Sequence, residues 1–192
     1  MMDRIEFVGV RGGHGATTVA LVAAATLATR GPSTISAMDP VALAAVAGAS
    51  SGDLPTHLTE GLILVADQSG AGVVDAGTLR PCLDGSGPVE TGEPDVADET
   101  GLLRVAVLRG PDYLGVRTLA GVEGRAVDGV VVVAEPGRAL DSHDVEHVCG
   151  LPVVAVVDHT PNVARAVDAG LLVQRCQRLR EFDRLRSWLA DR

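Results

Sequence analysis

Short apolar runs alternate with helix-length amphipathic or alanine-rich stretches along most of the chain. Residues 103–108, 129–134 and 153–157 are almost continuously apolar and rich in valine, which is typical of strands buried on both faces. The predicted strands are 5–10, 34–38, 62–66, 72–75, 103–108, 129–134 and 153–157. The predicted helices are 16–29, 41–47, 112–120, 139–148, 161–169 and 171–189.

This alternation predicts an α/β fold: a doubly wound, mostly parallel sheet with helices on both faces. The length of 192 residues fits one domain, and we expect residues 1–192 to form it. In such sheets ligands bind beyond the carboxyl ends of the strands. The residues at such ends of the predicted strands are 11–18, Asp39, Asp75, Arg109 and Asp158.

Composition narrows the function classes. All 16 basic residues are arginine, so lysine chemistry of any kind is excluded. Aromatic residues make up 2% of the chain, too few for base-stacking platforms, and the net charge of −9 disfavours broad binding to nucleic-acid backbones. The three cysteines form no C-x-x-C pair, and the first residues do not read as a secretory signal, so we expect a cytoplasmic protein.

Two segments differ from the rest. Residues 84–99 carry six acidic and no basic side chains and contain several Gly and Pro, which predicts an acidic surface loop. Residues 171–192 carry six Arg and an apolar stripe at helical spacing. We expect this Arg-rich C-terminal helix to pack its stripe on the sheet, with membrane contact as the less favoured alternative.

The strongest motif is a glycine-rich loop between the first predicted strand and helix. It consists of Arg11, Gly12, Gly13, His14, Gly15, Ala16, Thr17 and Thr18. Glycines allow successive backbone N–H groups to surround a phosphate, and the following helix N-terminus adds partial positive charge. We predict that Gly12–Thr18 bind nucleotide phosphates and that the Thr17 hydroxyl binds Mg²⁺.

This loop resembles the deviant Walker A motif, K-G-G-x-G-K-[ST]-T, of the MinD/ParA family of P-loop ATPases. Residues 34–40 and 73–77 resemble the family's second strand and its switch II strand. Residues 109–114 resemble a junction of the TadZ/CpaE-like and actinobacterial MinD-like branches, and 151–170 resemble a late family passage. The resemblance implies ATP or ADP with Mg²⁺, Asp75 as a water-mediated metal partner and Asp39 as a residue that positions water.

The departures from the family pattern concern charge. The family's phosphate-loop lysine falls on Ala16, and its signature lysine, which reaches across a dimer, falls on Arg11. Arg11 could act in cis or across a dimer, because guanidinium suits bidentate phosphate contact. Ala16 cannot replace an ammonium group, and such a loss generally costs about 3 kcal/mol or more of electrostatic stabilisation.

We therefore predict a pseudo-ATPase: a nucleotide-binding or interaction module, homo- or heterodimeric, in a partition, pilus or cell-pole positioning system. Two alternatives remain open. One is an active nucleotide-switch ATPase that uses Arg11, and the other is a nucleotide-free structural partner of an intact family member. In the last case the protein would bind no cofactor.

Three weaker candidates have structural explanations. Asp39 and Asp75 could simply begin turns at strand ends. His143 and His147 belong to an H-x-x-E-H pattern that also occurs in zinc proteases, but a solvated helix face is the favoured interpretation. His14 occupies the variable position of the loop, where we expect a solvent-exposed side chain.

Overall fold

The structure is a computed structural model that describes residues 4–50, 53–79, 101–122 and 127–192. Within these ranges it contains eight strands: β1 Arg4–Gly9, β2 Ser33–Ala37, β3 Thr56–Thr59, β4 Leu62–Leu64, β5 Val73–Thr78, β6 Leu102–Arg109, β7 Gly129–Ala134 and β8 Val153–Asp158. The helices are α1 Ala16–Leu27, α2 Pro40–Ala47, α3 Tyr113–Ala120, α4 Ser142–Cys149, α5 Pro161–Asp168, α6 Leu172–Arg175 and α7 Asp183–Ala190. The predicted acidic loop at 84–99 lies outside the described residues.

All eight strands form one sheet in the order β3-β4-β2-β5-β1-β6-β7-β8. Every pairing is parallel except β3 with β4. Strands β2 to β5 lie on one side of β1 and β6 to β8 on the other. The loop after β1 therefore lies where the winding reverses, which is the position at which such sheets bind ligands.

The central strands are buried on both faces, as their apolar runs predict. In β7, Val131 and Val133 join the larger apolar cluster, while Val130 and Val132 join the smaller one on the opposite face. The larger cluster contains side chains of α1, α2, α5, α6 and α7, and the smaller one contains those of α3 and α4. The fold is thus the predicted doubly wound α/β sheet.

Helix α1 is the central helix of the larger cluster. Its residues from Val19 to Ala24 are almost completely inaccessible to solvent, on all sides of the helix. It packs against β1, β2 and β5 on one side and against α6 and α7 on the other. The many alanines of this helix fit this position, because small side chains let a helix approach both neighbours closely.

The C-terminal segment differs from the continuous helix predicted over 171–189. It consists of α6, two 3₁₀ turns (Cys176–Arg178 and Arg180–Phe182) and α7. Leu179 between the turns is extended, with φ −84° and ψ 113°. The Arg186 guanidinium donates to the carbonyls of Cys176 and Leu179 at 2.6 and 3.1 Å, which satisfies acceptors at the break.

The apolar stripe of this segment packs inward despite the break. The fully buried side chains are Leu172, Cys176, Phe182, Leu185 and Leu189. This confirms the expected packing of the stripe. Across the four described ranges, no helix has the length and apolarity needed to cross a membrane.

Candidate functional site

The glycine loop leaves β1 and enters α1 through two glycines with positive φ. Gly13 has φ 78°, and Gly15, the N-cap of α1, has φ 90°, a region that side chains with a Cβ rarely adopt. No side chain caps the helix, and no acidic residue occupies its first turn. The first amides of α1 and the positive end of its dipole therefore remain available to an anion.

The loop forms one wall of a cleft of about 450 Å³. A Cβ built on Gly12 or Gly13 would meet no atom within 4 Å, so the space above these residues is open. Of the predicted residues, the structure brings eight to the cleft: Arg11, Gly13, His14, Gly15, Ala16, Thr17, Thr18 and Asp75. Gly12 and Asp39 are not part of the lining.

Thr17 and Asp75 form a direct pair on the β5 side of the loop. The Thr17 hydroxyl donates to Asp75 Oδ2 at 2.6 Å, and the Gly77 amide donates to Oδ1 at 3.3 Å. Asp75 is buried, and this burial raises the pKa of its carboxyl group against the opposing effect of the two hydrogen bonds. A hydroxyl and a carboxylate side by side are oxygen ligands of the kind that Mg²⁺ accepts, together with water and phosphate oxygens.

Asp39 is exposed at the end of β2 and accepts a hydrogen bond from the Ala42 amide at 2.9 Å. It is therefore the N-cap of α2, with Pro40 next to it. Its charge contributes to the raised pKa of Asp75, so the two carboxyl groups are close enough to interact. A role in positioning water stays a prediction.

The expectation that His14 is solvent-exposed is wrong. Only 8% of its surface is accessible, because the side chain lies beside α3 at Gly115, where a Cβ would come within 3.7 Å of His14 Cε1. Burial is the main cause of its lowered pKa, and the positive charge of Arg11 adds to it. The His14 side chain therefore packs between the glycine loop and α3.

Position 16, the first residue of α1, is a buried alanine that brings no charge to the cleft. Arg11 is about half exposed, and its Nη1 lies 3.7 Å from Asp112 Oδ2. Asp112 also caps α3 by accepting from the Gly115 amide at 2.6 Å, as its position before the helix predicts. The charge of Arg11 is thus near the loop but is shared with a carboxylate.

Two further cleft residues are Arg109 and Asp158, which the sequence placed at the carboxyl ends of predicted strands and which end β6 and β8. His159, one residue beyond β8, was missed by sequence reasoning, although its place directly after a strand end could have identified it. The opposite wall is apolar and comes from β7, β8, α5 and the second 3₁₀ turn. Its members are Val133, Val157, Val163, Ala164, Val167 and Phe182.

The H-x-x-E-H pattern gives no metal centre. His143 and His147 are both exposed on α4, which covers the opposite face of the sheet, so the interpretation as a solvated helix face is confirmed. Within the ranges that the structure covers, no three His, Cys, Asp or Glu side chains are placed to hold a metal ion.

Structural comparison identifies the fold. The chain is similar to a ParA family ATPase from Chlorobium tepidum, with a TM-score of 0.68, 14% identity and 99% coverage of both chains. It is also similar to MinD in a MinC:MinD cell division complex of Aquifex aeolicus, with a TM-score of 0.73, 14% identity, and coverage of 98% of this chain and 94% of that one.

A third similar structure is the septum site-determining protein MinD from Pyrococcus horikoshii, in complex with Mg-ADP. Its TM-score is 0.69 at 14% identity, with coverage of 100% of this chain and 95% of that one. No protein-family model and no curated protein sequence matches the chain. The comparisons therefore establish a MinD/ParA-type P-loop fold, which agrees with the predicted one.

Proposed function

We propose that this chain is a pseudo-ATPase that binds ATP or ADP with Mg²⁺ in the glycine-loop cleft and hydrolyses it inefficiently or not at all. The observation that carries the proposal is the combination of two features within one site. The loop is open, with the Thr17–Asp75 pair beside it, whereas position 16 is Ala16 in a chain without lysine. Phosphate binding by backbone amides needs no lysine, but stabilisation of transferring phosphoryl charge does need cations.

The bound nucleotide would use the site as follows. Its phosphates would lie over Gly12–Thr18 and accept from the open amides at the start of α1. Mg²⁺ would take the Thr17 hydroxyl, with Asp75 acting directly or through water, and would offset the phosphate charge. The nucleoside would occupy the apolar part of the cleft beside Val163 and Val167.

The biological role that we propose is that of an interaction or positioning module in the cytoplasm. The support is the similarity to a septum site-determining protein and to a ParA family ATPase. The junction at 109–114 supports the narrower placement near the TadZ/CpaE-like and actinobacterial MinD-like branches, and with it a role at a pilus or cell pole. We propose that residues 1–192 form a single domain.

One observation favours a protein partner at the loop face. Four large apolar side chains, each more than half exposed, lie at the same edge of the sheet as the loop: Met38 and Val41 on one side, Tyr113 and Leu114 on the other. Exposed apolar side chains that are grouped at one edge of a fold are typical of an interaction surface. We propose a homo- or heterodimer through this face.

Titration of the purified chain with a fluorescent ATP analogue, with and without Mg²⁺, tests the proposal, alongside an assay of phosphate release. We expect Mg²⁺-dependent binding and no release above the uncatalysed background. Turnover that is abolished by Arg11→Ala would instead establish the active ATPase. No binding at millimolar ATP would establish the nucleotide-free structural partner, and light scattering at several concentrations would report dimer formation in each case.

A further inference from the structure

Arg109 stands beside the glycine loop at the carboxyl end of β6. The pairing of Gly9 with Val107 fixes the register of β1 and β6. Arg109 follows Val107 by two residues, just as Arg11 follows Gly9 by two residues, so both arginines lie beyond the same end of the sheet. The other strand neighbour of Arg109, Val133, comes within 3.9 Å of a Cβ built on Gly15, the N-cap of α1. Arg109 and the start of α1 therefore line the same cleft.

The Arg109 guanidinium is held by a hydrogen bond at Nε, while its two terminal nitrogens are available to a ligand. Nε donates to Glu135 Oε1 at 2.8 Å, whereas Nη1 and Nη2 donate to no group in the described part of the chain. The side chain is 37% exposed. A guanidinium held through Nε keeps its far edge in a defined direction, which is the arrangement suited to bidentate contact with a phosphate.

Glu135 is itself held in place. Arg138 Nε donates to its second oxygen, Oε2, at 3.0 Å, and the two arginines lower the pKa of the Glu135 carboxyl group. The clasp passes directly over Gly110, where a Cβ would lie 2.4 Å from Glu135 Oε2 and 2.9 Å from Arg138 Nε. Gly110 also has φ 44°, a conformation that favours glycine, so the clasp lies against backbone that carries no side chain.

His14 lies on the same side of the cleft, between the loop and α3. The residue is 8% exposed and lines the cleft, while its Nδ1 is buried. The charges that act on it are those of Arg11, Asp112 and Arg109. The two guanidinium groups therefore make this side of the cleft the more positive one.

We propose that Arg109, oriented by Glu135, contacts the β- and γ-phosphates of the bound nucleotide and supplies a cation for binding, while the start of α1 still lacks the ammonium group that turnover needs. The inference rests on the proposed function, since it concerns a residue of the same cleft. It differs from the alternative that assigns this contact to Arg11. Arg11 is more exposed, and its nearest carboxylate is that of Asp112. Arg109 has the more constrained guanidinium.

The test compares Arg109→Gln with Arg138→Gln in the full chain. Both variants remove one arginine from Glu135, but Arg138 does not line the cleft. The affinity of each variant for ATP, ADP and AMP is measured in the presence of Mg²⁺, by displacement of a fluorescent ATP analogue. We expect Arg109→Gln to weaken ATP and ADP by roughly tenfold or more, with AMP changed much less, because the lost contact is to the outer phosphates.

Arg138→Gln should lower the affinity less, by about threefold, because it loosens Glu135 but leaves the Arg109 guanidinium in the cleft. Arg109→Lys should recover part of the loss through its charge, and it provides a second variant if Arg109→Gln unfolds. Equal losses in Arg109→Gln and Arg138→Gln, or wild-type affinity in Arg109→Gln, would overturn the inference while leaving the proposed function standing. Absence of ATP binding by the wild type would overturn both.

Discussion

The two sides of the glycine loop hold their polar groups differently. Toward β5, Thr17 and Asp75 are joined by a direct 2.6 Å hydrogen bond. Toward β6, the charges are spread over Arg11 and Arg109, and each shares its charge with a carboxylate. We call these the metal side and the cation side of the loop.

The difference shows that the two functions of a phosphate loop can be separated. The metal side has the groups expected from the family pattern, and in the proposed function it would bind Mg²⁺ with the nucleotide. The cation side lacks an ammonium group at the start of α1 and uses guanidinium groups that come from the neighbouring loop and strand. Binding and turnover therefore need not change together, because transition-state charge depends more strongly on placed cations than ground-state binding does.

Ala16→Lys should have the largest effect on this comparison, because it adds the missing charge at the start of α1. We expect Mg-ATP affinity to rise roughly tenfold to hundredfold, as a charge-assisted hydrogen bond contributes about 1.5–3 kcal/mol. The melting temperature without ligand should fall slightly, since a cation at a helix N-terminus is unfavourable. Nucleotide titration and thermal unfolding measure the two changes.

Ala16→Met is the matched control, since methionine adds a chain of similar length without charge. It should not raise the affinity. An unchanged affinity in Ala16→Lys would mean that the loop is not shaped for phosphate, whereas equal gains in both variants would assign the effect to packing.

Asp75→Asn tests the metal side. The amide can keep the hydrogen bonds to Thr17 and Gly77 if the Thr17 hydroxyl reverses its role, but it carries no charge for Mg²⁺. We expect the Mg²⁺-dependent part of nucleotide affinity to fall roughly tenfold. Because burial raises the pKa of Asp75, its ionisation opposes folding at neutral pH, so the variant without ligand should melt at a higher temperature.

Titration in EDTA provides the control, since wild type and Asp75→Asn should then bind nucleotide equally. A variant that loses affinity equally with and without Mg²⁺ would show that Asp75 shapes the loop and does not act through the metal.

The pattern of apolar residues predicted the central strands well, because these strands are buried on both faces of the sheet. The predicted strand at 129–134 coincides with β7, and the expected cap of Asp112 is present. Strand β3 was missed because its sequence, Thr-His-Leu-Thr, has one buried residue and lies at the sheet edge. Such a strand is specified by its partner β4 and not by an apolar run of its own.

Sequence reasoning predicted the parts of the site that depend on residues close together in the chain or at strand ends. A glycine loop, its hydroxyl and a strand-end carboxylate are visible in sequence, and the structure brings Thr17 and Asp75 together. The burial of His14 depends on Gly115 of another element, and the break at Leu179 depends on carbonyl acceptors met by Arg186. Neither long-range contact leaves a periodic signal.

His14 allows the cation side to be tested by pH. Its folded-state pKa lies below its ordinary value of 6.5, so the folded protein binds fewer protons than the unfolded chain in this range. Its contribution to the free energy of unfolding is therefore present above about pH 6.5 and is lost as pH falls from there through its lower folded-state pKa. We expect His14→Gln to show a smaller decrease in melting temperature between about pH 7.5 and pH 5 than wild type.

His143→Gln, on the exposed face of α4, is the matched control and should follow the wild-type pH dependence. If His14→Gln also followed the wild type, burial of a neutral imidazole between the loop and α3 would not contribute to stability in this range.

Arg11→Gln should have the smallest effect on a single chain. The Arg11 side chain is 46% exposed, its contact with Asp112 is 3.7 Å, and exposed ion pairs contribute about 0–1 kcal/mol. We expect Mg-ATP affinity at low protein concentration to fall by less than about fivefold. A larger loss would make Arg11 the main cation of the loop and would favour the ATPase alternative.

Protein concentration distinguishes whether Arg11 acts in cis or across a dimer. A contact made within one chain lowers affinity equally at every concentration, whereas a contact made to the nucleotide of a second copy is lost only where the dimer is populated. Since Arg11 is at the same edge of the sheet as the exposed Met38 and Tyr113, we expect the loss in Arg11→Gln to grow with concentration. A loss that is constant across the dimerisation range, measured by light scattering on the same samples, would place its action within the chain.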